Sequence, residues 1–202
     1  CTSQALSMTN AADDKRTLRH TLRHIRQAIP QPIRRRAARA LVAHSSRSPQ
    51  LRHSRRVAVY LSMGSELSTA PLIAALQRKG IAVFVPALIR GDLRFRALDK
   101  RTLRRHPLGM QQPSAGVAQR ASAMDVVVLP LLGFDALGTR LGQGGGYYDR
   151  ALACCRFHPY RIGLGYAAQQ VDALPCEPWD QHLNAVITER GLQRFSRNLF
   201  GS

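Results

Sequence analysis

Apolar residues recur at two spacings along the chain, which predict helices first and then strands alternating with helices. Four residues recur every three to four positions: Leu18, Leu22, Ile25 and Ile29. That spacing is typical of one face of a helix, and two prolines at 30 and 32 end the pattern. Residues 1–12 are small and polar, so we expect a flexible N-terminus there and a helix that begins after it. A second helix is predicted over 33–44.

Continuous apolar runs predict buried strands at 56–61, 81–86 and 126–130. A helix over 69–79, ended by Gly80, lies between the first two runs, and strand, helix and strand in that order favour a parallel sheet. Further strands are predicted at 93–98, 161–166 and 185–188, a helix at 147–155, and a loop at 107–116. The fold prediction is one α/β domain over 13–195, a three-layer α/β/α arrangement with a mostly parallel sheet, followed by a C-terminal tail at 196–202.

Composition supports a single compact domain, because 202 residues with 45% hydrophobic and 21% charged side chains can bury a core. The apolar runs fall short of the roughly 20 residues that cross a bilayer, and the N-terminus lacks the apolar stretch of a secretory signal. We therefore expect a soluble, cytoplasmic protein. The four cysteines have no C-x-x-C spacing, so the sequence suggests neither a zinc site nor a disulfide framework.

The net charge of +18 makes nucleic-acid binding an alternative function. Arginine clusters at 34–36, 55–56 and 104–105 carry part of that charge, but no aromatic residues interleave with them. The stacking platform of single-strand binders is therefore missing, and charge alone supports only salt-sensitive attachment. Polyanionic small molecules such as ATP would be attracted by the same charge.

The segment at 138–150, Gly-Thr-Arg-Leu-Gly-Gln-Gly-Gly-Gly-Tyr-Tyr-Asp-Arg, is the main candidate for chemistry. Glycines let backbone N–H groups approach a phosphate chain, the helix that follows adds its positive end, and Arg140 can neutralise phosphate. The lysine and hydroxyl residue of a P-loop are absent, and the glycine spacing is not a convincing dinucleotide fingerprint. Glycines alone would equally fit a turn that joins a strand to a helix.

Residues 140–149 closely resemble the R-L-G-x-G-x-G-Y-Y-D signature of the 5-formyltetrahydrofolate cyclo-ligase family. The resemblance implies a NagB/RpiA/CoA transferase-like fold and a ligase that uses ATP and Mg²⁺ to cyclise 5-formyltetrahydrofolate to 5,10-methenyltetrahydrofolate, releasing ADP and phosphate. The loop residues it implies for ATP are Arg140, Leu141, Gly142, Gln143, Gly144, Gly145, Gly146, Tyr147 and Tyr148. Those it implies for folate are Gln143, Gly144, Gly145, Gly146 and Tyr147. Asp149 is the implied magnesium ligand.

Three further stretches agree with the family in the same order. In Lys15-Arg16-Thr17-Leu18-Arg19 the resemblance implies that Lys15 and Arg19 contact ATP, whereas a solvated basic helix face is the alternative. In the loop 61–66 it implies that Leu61 and Glu66 contact folate, whereas a helix-capping loop is the alternative. In the late loop 175–180 it implies that Asp180 joins the magnesium site, and without the family Asp180 would be a surface turn residue.

Two positions depart from the family pattern, since Leu108 and Gln112 stand where an aromatic residue and a glutamate are frequent. His20 and His24 have the i, i+4 spacing of a zinc pair but lack the glutamate of H-E-x-x-H, so a solvated helix face explains them better. The expected partners are 5-formyltetrahydrofolate and ATP, with no specific nucleic acid and no membrane, and the protein is expected to be a monomer.

Overall fold

The computed structural model describes residues 2–155 and 158–196, with side chains from residue 14 onward. The helices are α1 Thr2–Ala28, α2 Gln31–Ser45, α3 Pro49–His53, α4 Ala70–Arg78 and α5 Tyr147–Leu152. The strands are β1 Arg56–Val59, β2 Ala82–Ile89, β3 Asp92–Ala97, β4 Leu103–Arg105, β5 Gln111–Pro113, β6 Val126–Pro130, β7 Gly133–Phe134, β8 Arg140–Leu141, β9 Tyr160–Leu164, β10 Ala185–Thr188 and β11 Gly191–Arg194.

A seven-stranded sheet in the order β11-β10-β9-β6-β1-β2-β3 forms the middle layer. Its central pairs are parallel, from β10 through β9, β6 and β1 to β2, while β3 and β11 pair antiparallel at the two edges. The prediction of a mostly parallel sheet is therefore confirmed. The antiparallel edge strands were not predicted as such.

The two faces of the sheet carry separate hydrophobic clusters, which explains the continuous apolar runs of its central strands. In β6, Val126 and Val128 contact the cluster that includes α2 and α4. The alternate residues Val127 and Leu129 contact the opposite cluster, to which α5 contributes Leu152. Helices cover both faces of the sheet, as the three-layer prediction requires.

The helix α1 lies over a third, smaller cluster. Its Leu22 is buried against three leucines at 132, 141 and 174. The contact is close because Gly133 has no side chain: a Cβ there would lie 2.6 Å from Leu22 Cδ1. This cluster, Leu22 with Leu132, Leu141 and Leu174, is called the α1 cluster below.

Several sequence predictions differ from the structure. The first helix begins at Thr2 and not after residue 12, and α5 ends at Leu152 and not at 155. The predicted loop at 107–116 contains β5, which pairs with β4 in a small separate sheet. Within α1, Ile25 is 39% exposed although the apolar pattern predicts it on the buried face. The predicted tail lies outside the described residues from 197 onward.

None of the helices in the described residues is long and apolar enough to cross a membrane.

Candidate active site

A cleft of about 810 Å³ lies at the carboxyl ends of the central parallel strands. Tyr60 and Leu61 enter it directly after β1, Pro86 and Leu88 from β2, and Pro130 from the end of β6. The strands β1 and β6 are neighbours in the sheet, and the chain leaves them in opposite directions: from β1 it continues to β2, and from β6 it continues to β9. The cleft therefore lies at a topological switch point, where open α/β sheets bind their ligands.

Each residue that the sequence analysis assigned to a ligand lines this cleft. The set is Lys15, Arg19, Leu61, Glu66, Arg140, Leu141, Gly142, Gln143, Gly144, Gly145, Gly146, Tyr147, Tyr148, Asp149 and Asp180. They come from α1, the loop after β1, the glycine-rich loop after β8 and the late loop near 180. Four stretches that are distant in sequence thus meet around one cavity.

The glycine-rich loop depends on backbone conformations that other residues rarely adopt. Gly144 and Gly146 have φ of 108° and 62°, and Gly146 directly precedes α5. Arg19 lies across the loop and donates from Nε to the carbonyl oxygen of Gly142 at 3.1 Å. Because α5 has only six residues, the loop N–H groups, and not a long helix dipole, are the main backbone donors available to an anion.

Lys15 is buried, at 6% exposed, between two carboxylates of the late loop. Its Nζ lies 2.7 Å from Glu177 Oε2 and 2.6 Å from Asp180 Oδ2. Burial opposes the charge of Lys15, but the hydrogen bonds and the attraction of Asp180 and Glu177 outweigh it and raise the pKa of Lys15. The alternative of a solvated basic helix face is therefore wrong for Lys15.

A second ion pair joins the glycine-rich loop to α5. Arg140 Nη2 donates to Asp149 Oδ1 at 2.7 Å, and the Arg140 side chain is only 4% exposed. The same Asp149 oxygen accepts the backbone N–H of Gln181 at 3.2 Å. Asp149 thus connects the glycine-rich loop to the late loop that carries Asp180.

Asp135 stabilises the turn that precedes β8. It is buried, and its Oδ1 accepts the backbone N–H groups of Leu137 and Thr139, while its Oδ2 accepts that of Leu174. These bonds fix the turn that leads into β8 and tie it to the start of the late loop.

Glu66 lies at another part of the cleft wall. One oxygen accepts the backbone N–H of Met63 at 2.9 Å and the other accepts Gln143 Nε2 at 3.2 Å. Burial raises the pKa of the Glu66 carboxyl, while the Met63 hydrogen bond and the charge of Arg26 act in the opposite direction. The bond to Gln143 links the loop after β1 to the glycine-rich loop.

Two tyrosines stand near this carboxylate. Burial raises the pKa of Tyr60 and of Tyr148, and the negative charge of Glu66 raises both further. Both phenols are therefore neutral at ordinary pH and can act as hydrogen-bond donors.

The two positions that depart from the family pattern have different surroundings. Leu108 lines the cleft and is exposed. Met110 and Trp179 line the same cleft. Gln112 does not line it, because its side chain accepts the backbone N–H of Leu88 at 2.8 Å and is held at β2. The departure that bears on the cleft is therefore Leu108.

The carboxylates suit a magnesium ion that is mostly coordinated by phosphate and water. Asp149 and Asp180 line one cleft, but each is paired with a cation, and the described residues contain no cluster of three side chains able to hold a metal. Magnesium commonly uses one or two protein carboxylates and completes its shell from phosphates and waters. The residues present fit that pattern and do not fit a metal cage made only of protein.

Sequence reasoning assigned no role to three charged residues of the cleft lining, Arg26, Arg150 and Glu177. Arg26 had a signal, since residues 15, 19, 22 and 26 follow the spacing of one helix face. The arginine excess hid that signal, because most arginines among the residues with described side chains are exposed. Glu177 belongs to the late loop quoted for Asp180, and only its contact with Lys15 distinguishes it from a surface residue.

Comparisons with known proteins show the family and the fold of this chain. The model of the 5-formyltetrahydrofolate cyclo-ligase family matches residues 11–189. The 5-formyltetrahydrofolate cyclo-ligase of Escherichia coli strain K12 is 38% identical over 146 residues, which cover 65% of this chain and 76% of that protein. The Haemophilus influenzae protein of the same name is 31% identical over 180 residues, covering 86% of this chain and 96% of that one. The solved 5,10-methenyltetrahydrofolate synthetase of Aquifex aeolicus superposes with a TM-score of 0.80 at 26% identity, covering 93% of this chain and 96% of that chain.

Proposed function

Because this chain belongs to the 5-formyltetrahydrofolate cyclo-ligase family, we propose that it converts 5-formyltetrahydrofolate and ATP into 5,10-methenyltetrahydrofolate, ADP and phosphate. The observation that carries the proposal is the meeting of four distant stretches around one cleft. A glycine-rich loop, two buried cations and a carboxylate-bearing loop lie on the same cavity as Glu66. The cleft is within the range of about 300–1,000 Å³ typical of small-molecule sites.

We assign the phosphates of ATP to Lys15, Arg19, Arg140 and the N–H groups of the loop 142–146. These groups supply positive charge and unobstructed backbone donors on one side of the cleft. Lys15 is paired with Glu177 and Asp180, and Arg140 is paired with Asp149. ATP therefore has to replace carboxylates as their partner, and a Mg²⁺ ion bound with it would take up the released carboxylates.

We assign the folate ring system to Leu61 and Glu66. Carboxylate oxygens accept hydrogen bonds from the amino and ring N–H groups of a pterin edge, while Leu61 offers an apolar contact beside them. Gln143 bonds to Glu66, so the loop that would hold phosphate also contacts the residue that would hold the ring. This contact favours bringing the formyl group next to the terminal phosphate.

The reaction needs positioning more than it needs a protein nucleophile. The formyl oxygen attacks the γ-phosphorus of ATP, and the bond from that phosphorus to ADP breaks. The substrate's own N10 then attacks the activated formyl carbon, the carbon–oxygen bond breaks, phosphate leaves, and the N10 proton passes to solvent. Lys15 and Arg140 screen the charge of the transferred group, and a bound Mg²⁺ would supply further charge neutralisation.

The test is ATP-dependent turnover followed by the near-ultraviolet absorbance of methenyltetrahydrofolate. We expect the band to grow only when ATP, Mg²⁺ and 5-formyltetrahydrofolate are all present, with ADP formed in equal amount. No absorbance change with authentic substrates would refute the proposal. If sequence-selective nucleic-acid binding at physiological salt accompanied that failure, the alternative drawn from the net charge would be favoured.

The proposal includes a monomeric, cytoplasmic enzyme, as expected from the sequence. Light scattering on the purified protein should give a mass near the 22.4 kDa of one chain, and a dimer mass would contradict it. Recovery in the membrane fraction of cells would contradict the location.

A further inference from the structure

Arg26 is a buried cation in the wall of the cleft to which no role has been given above. It is 6% exposed, and its Nε donates to Ser65 Oγ at 3.0 Å. Its Nη1 is shielded from solvent and has no hydrogen-bond partner in the structure. A buried guanidinium with an unused donor is costly unless a nearby charge or a ligand compensates it.

The nearby charge is Glu66, whose Oε1 lies 3.8 Å from Arg26 Nη1. Both side chains are mostly buried, at 8% and 13% exposed. Burial lowers the pKa of Arg26 and raises that of Glu66, and each charge counters the effect on the other. Arg26, which stays protonated, therefore favours the ionised form of Glu66 in a site where burial opposes it.

The other groups that face Glu66 cannot replace Arg26. Tyr60 and Tyr148 are neutral phenols, and Gln143 and the Met63 N–H are uncharged donors. Arg23, one turn before Arg26, reaches Gln143 at 3.5 Å and not Glu66. Among the described residues, the cation in contact with the carboxylate is Arg26.

The charge on Glu66 determines what it can recognise. As a carboxylate it has a free lone pair on each oxygen besides the bonds from the Met63 N–H and Gln143, which matches the adjacent amino and ring N–H donors of a pterin. As a carboxylic acid it would present an O–H to one of those donors and lose a bond. The ionised form is therefore the one suited to the folate ring.

We propose that Arg26 is a positioning residue for folate: it holds the Glu66 carboxylate ionised and oriented so that it accepts the N–H groups of the pterin ring. This inference rests on the proposed function. The buried hydrogen bond to Ser65 supports it, because the bond fixes the guanidinium on the loop that carries Glu66.

The experiment measures the affinity of the full chain for 5-formyltetrahydrofolate by calorimetry from about pH 4 to about pH 9, a range that begins near the ordinary pKa of a glutamate and extends above it. In Arg26→Gln the midpoint at which affinity declines on acidification should move to higher pH. Affinity near neutral pH should fall roughly tenfold or more, as for loss of one bond to a charged group, and should recover as the pH rises. Arg26→Lys, which restores the charge, should move the midpoint back, and ATP affinity should stay unchanged in both variants.

Arg39→Gln is the matched control, because it removes the same charge from an exposed position of α2. It should leave both the affinity and the midpoint as in the wild type. In a Glu66→Gln background, Arg26→Gln should have little further effect on folate affinity, since the group it positions is gone.

An unmoved midpoint in Arg26→Gln overturns the proposal even if affinity falls, because a merely structural arginine would weaken binding equally at all pH values. If Arg26→Gln does not fold, Ser65→Ala takes its place: it removes the partner of Nε and keeps the charge, and it must give a smaller upward shift or the proposal fails. These results are separate from the proposed function, which fails on its own if the wild type shows no ATP-dependent turnover.

Discussion

Asp149→Asn tests the magnesium site because asparagine keeps the shape of aspartate and loses its charge. Its carbonyl oxygen can still accept the bonds from Arg140 at 2.7 Å and from the Gln181 N–H at 3.2 Å. What disappears is the negative partner of a guanidinium that is 4% exposed. Both bonds can persist, and only the carboxylate charge beside the buried guanidinium is lost, so the ligand-free protein should lose about 1–2 kcal/mol, within the range of most single substitutions. For a chain of this size the melting temperature should fall by about 2–8 °C.

The functional readout is the magnesium concentration that gives half-maximal turnover at saturating ATP. If Asp149 is one of two protein ligands, a loss of about 1.4 kcal/mol in metal affinity raises that concentration about tenfold. We expect at least that increase in Asp149→Asn. Calorimetry of ATP with and without Mg²⁺ should show that the variant has lost mainly the metal-dependent part of the affinity.

Asp92→Asn is the matched control. Asp92 is also paired with an arginine, Arg94 at 3.1 Å, but its side chain is 68% exposed and lies outside the cleft. It should change neither the melting temperature nor the magnesium requirement, since exposed ion pairs contribute little. A wild-type magnesium requirement in Asp149→Asn would refute the metal role, whatever happened to the rate.

Two further predictions concern α1. Lys15→Met leaves Glu177 and Asp180 next to each other without their cation. Urea unfolding should therefore show a decrease of about 2–4 kcal/mol in the free energy of unfolding, and calorimetry should show weaker ATP binding. Equal stability of variant and wild type would contradict the described pairing. Gly133→Ala introduces a Cβ 2.6 Å from Leu22 Cδ1, so overpacking should cost about 1–3 kcal/mol and displace α1, lowering ATP affinity. Unchanged ATP affinity in a destabilised Gly133→Ala would show that α1 keeps its place.

The central sheet could be predicted because its strands are buried on both faces. The run Val126–Pro130 needs apolar residues at successive positions, and that pattern is visible without any structure. β11 could not be predicted in the same way, since an edge strand with exposed residues such as Gln193 and Arg194 has no apolar pattern. The hairpin of β4 and β5 is short and mostly polar for the same reason.

The candidate site was predictable where a motif is long and local. The segment 140–149 can be recognised from its contiguous motif. Whether a charged residue is buried depends instead on residues distant in sequence that pack against it. Ile25 and Arg26 are adjacent on α1, and the sequence favours the isoleucine for the interior. The structure buries the arginine because Ser65 and Glu66, some forty residues later, supply its partners. Helical spacing places Arg26 on the same face as Lys15 and Arg19, but it cannot show that partners so distant in sequence allow the charge to be buried.

Because α1 packs on the α1 cluster and also lines the cleft, we expect ligand binding in the cleft to be linked to the packing of α1. Leu22 joins α1 to three leucines in a patch separate from the two clusters on the sheet, while Lys15 and Arg19 on the same helix reach into the cleft. An element held by a small patch is a natural unit of local opening, whose free energy is lower than that of global unfolding. A ligand that contacts Lys15 and Arg19 binds only the conformation in which α1 is packed on the domain. Part of its binding free energy therefore shifts the local opening equilibrium toward that conformation. We therefore expect ligand binding to increase the protection of α1 amides against hydrogen exchange.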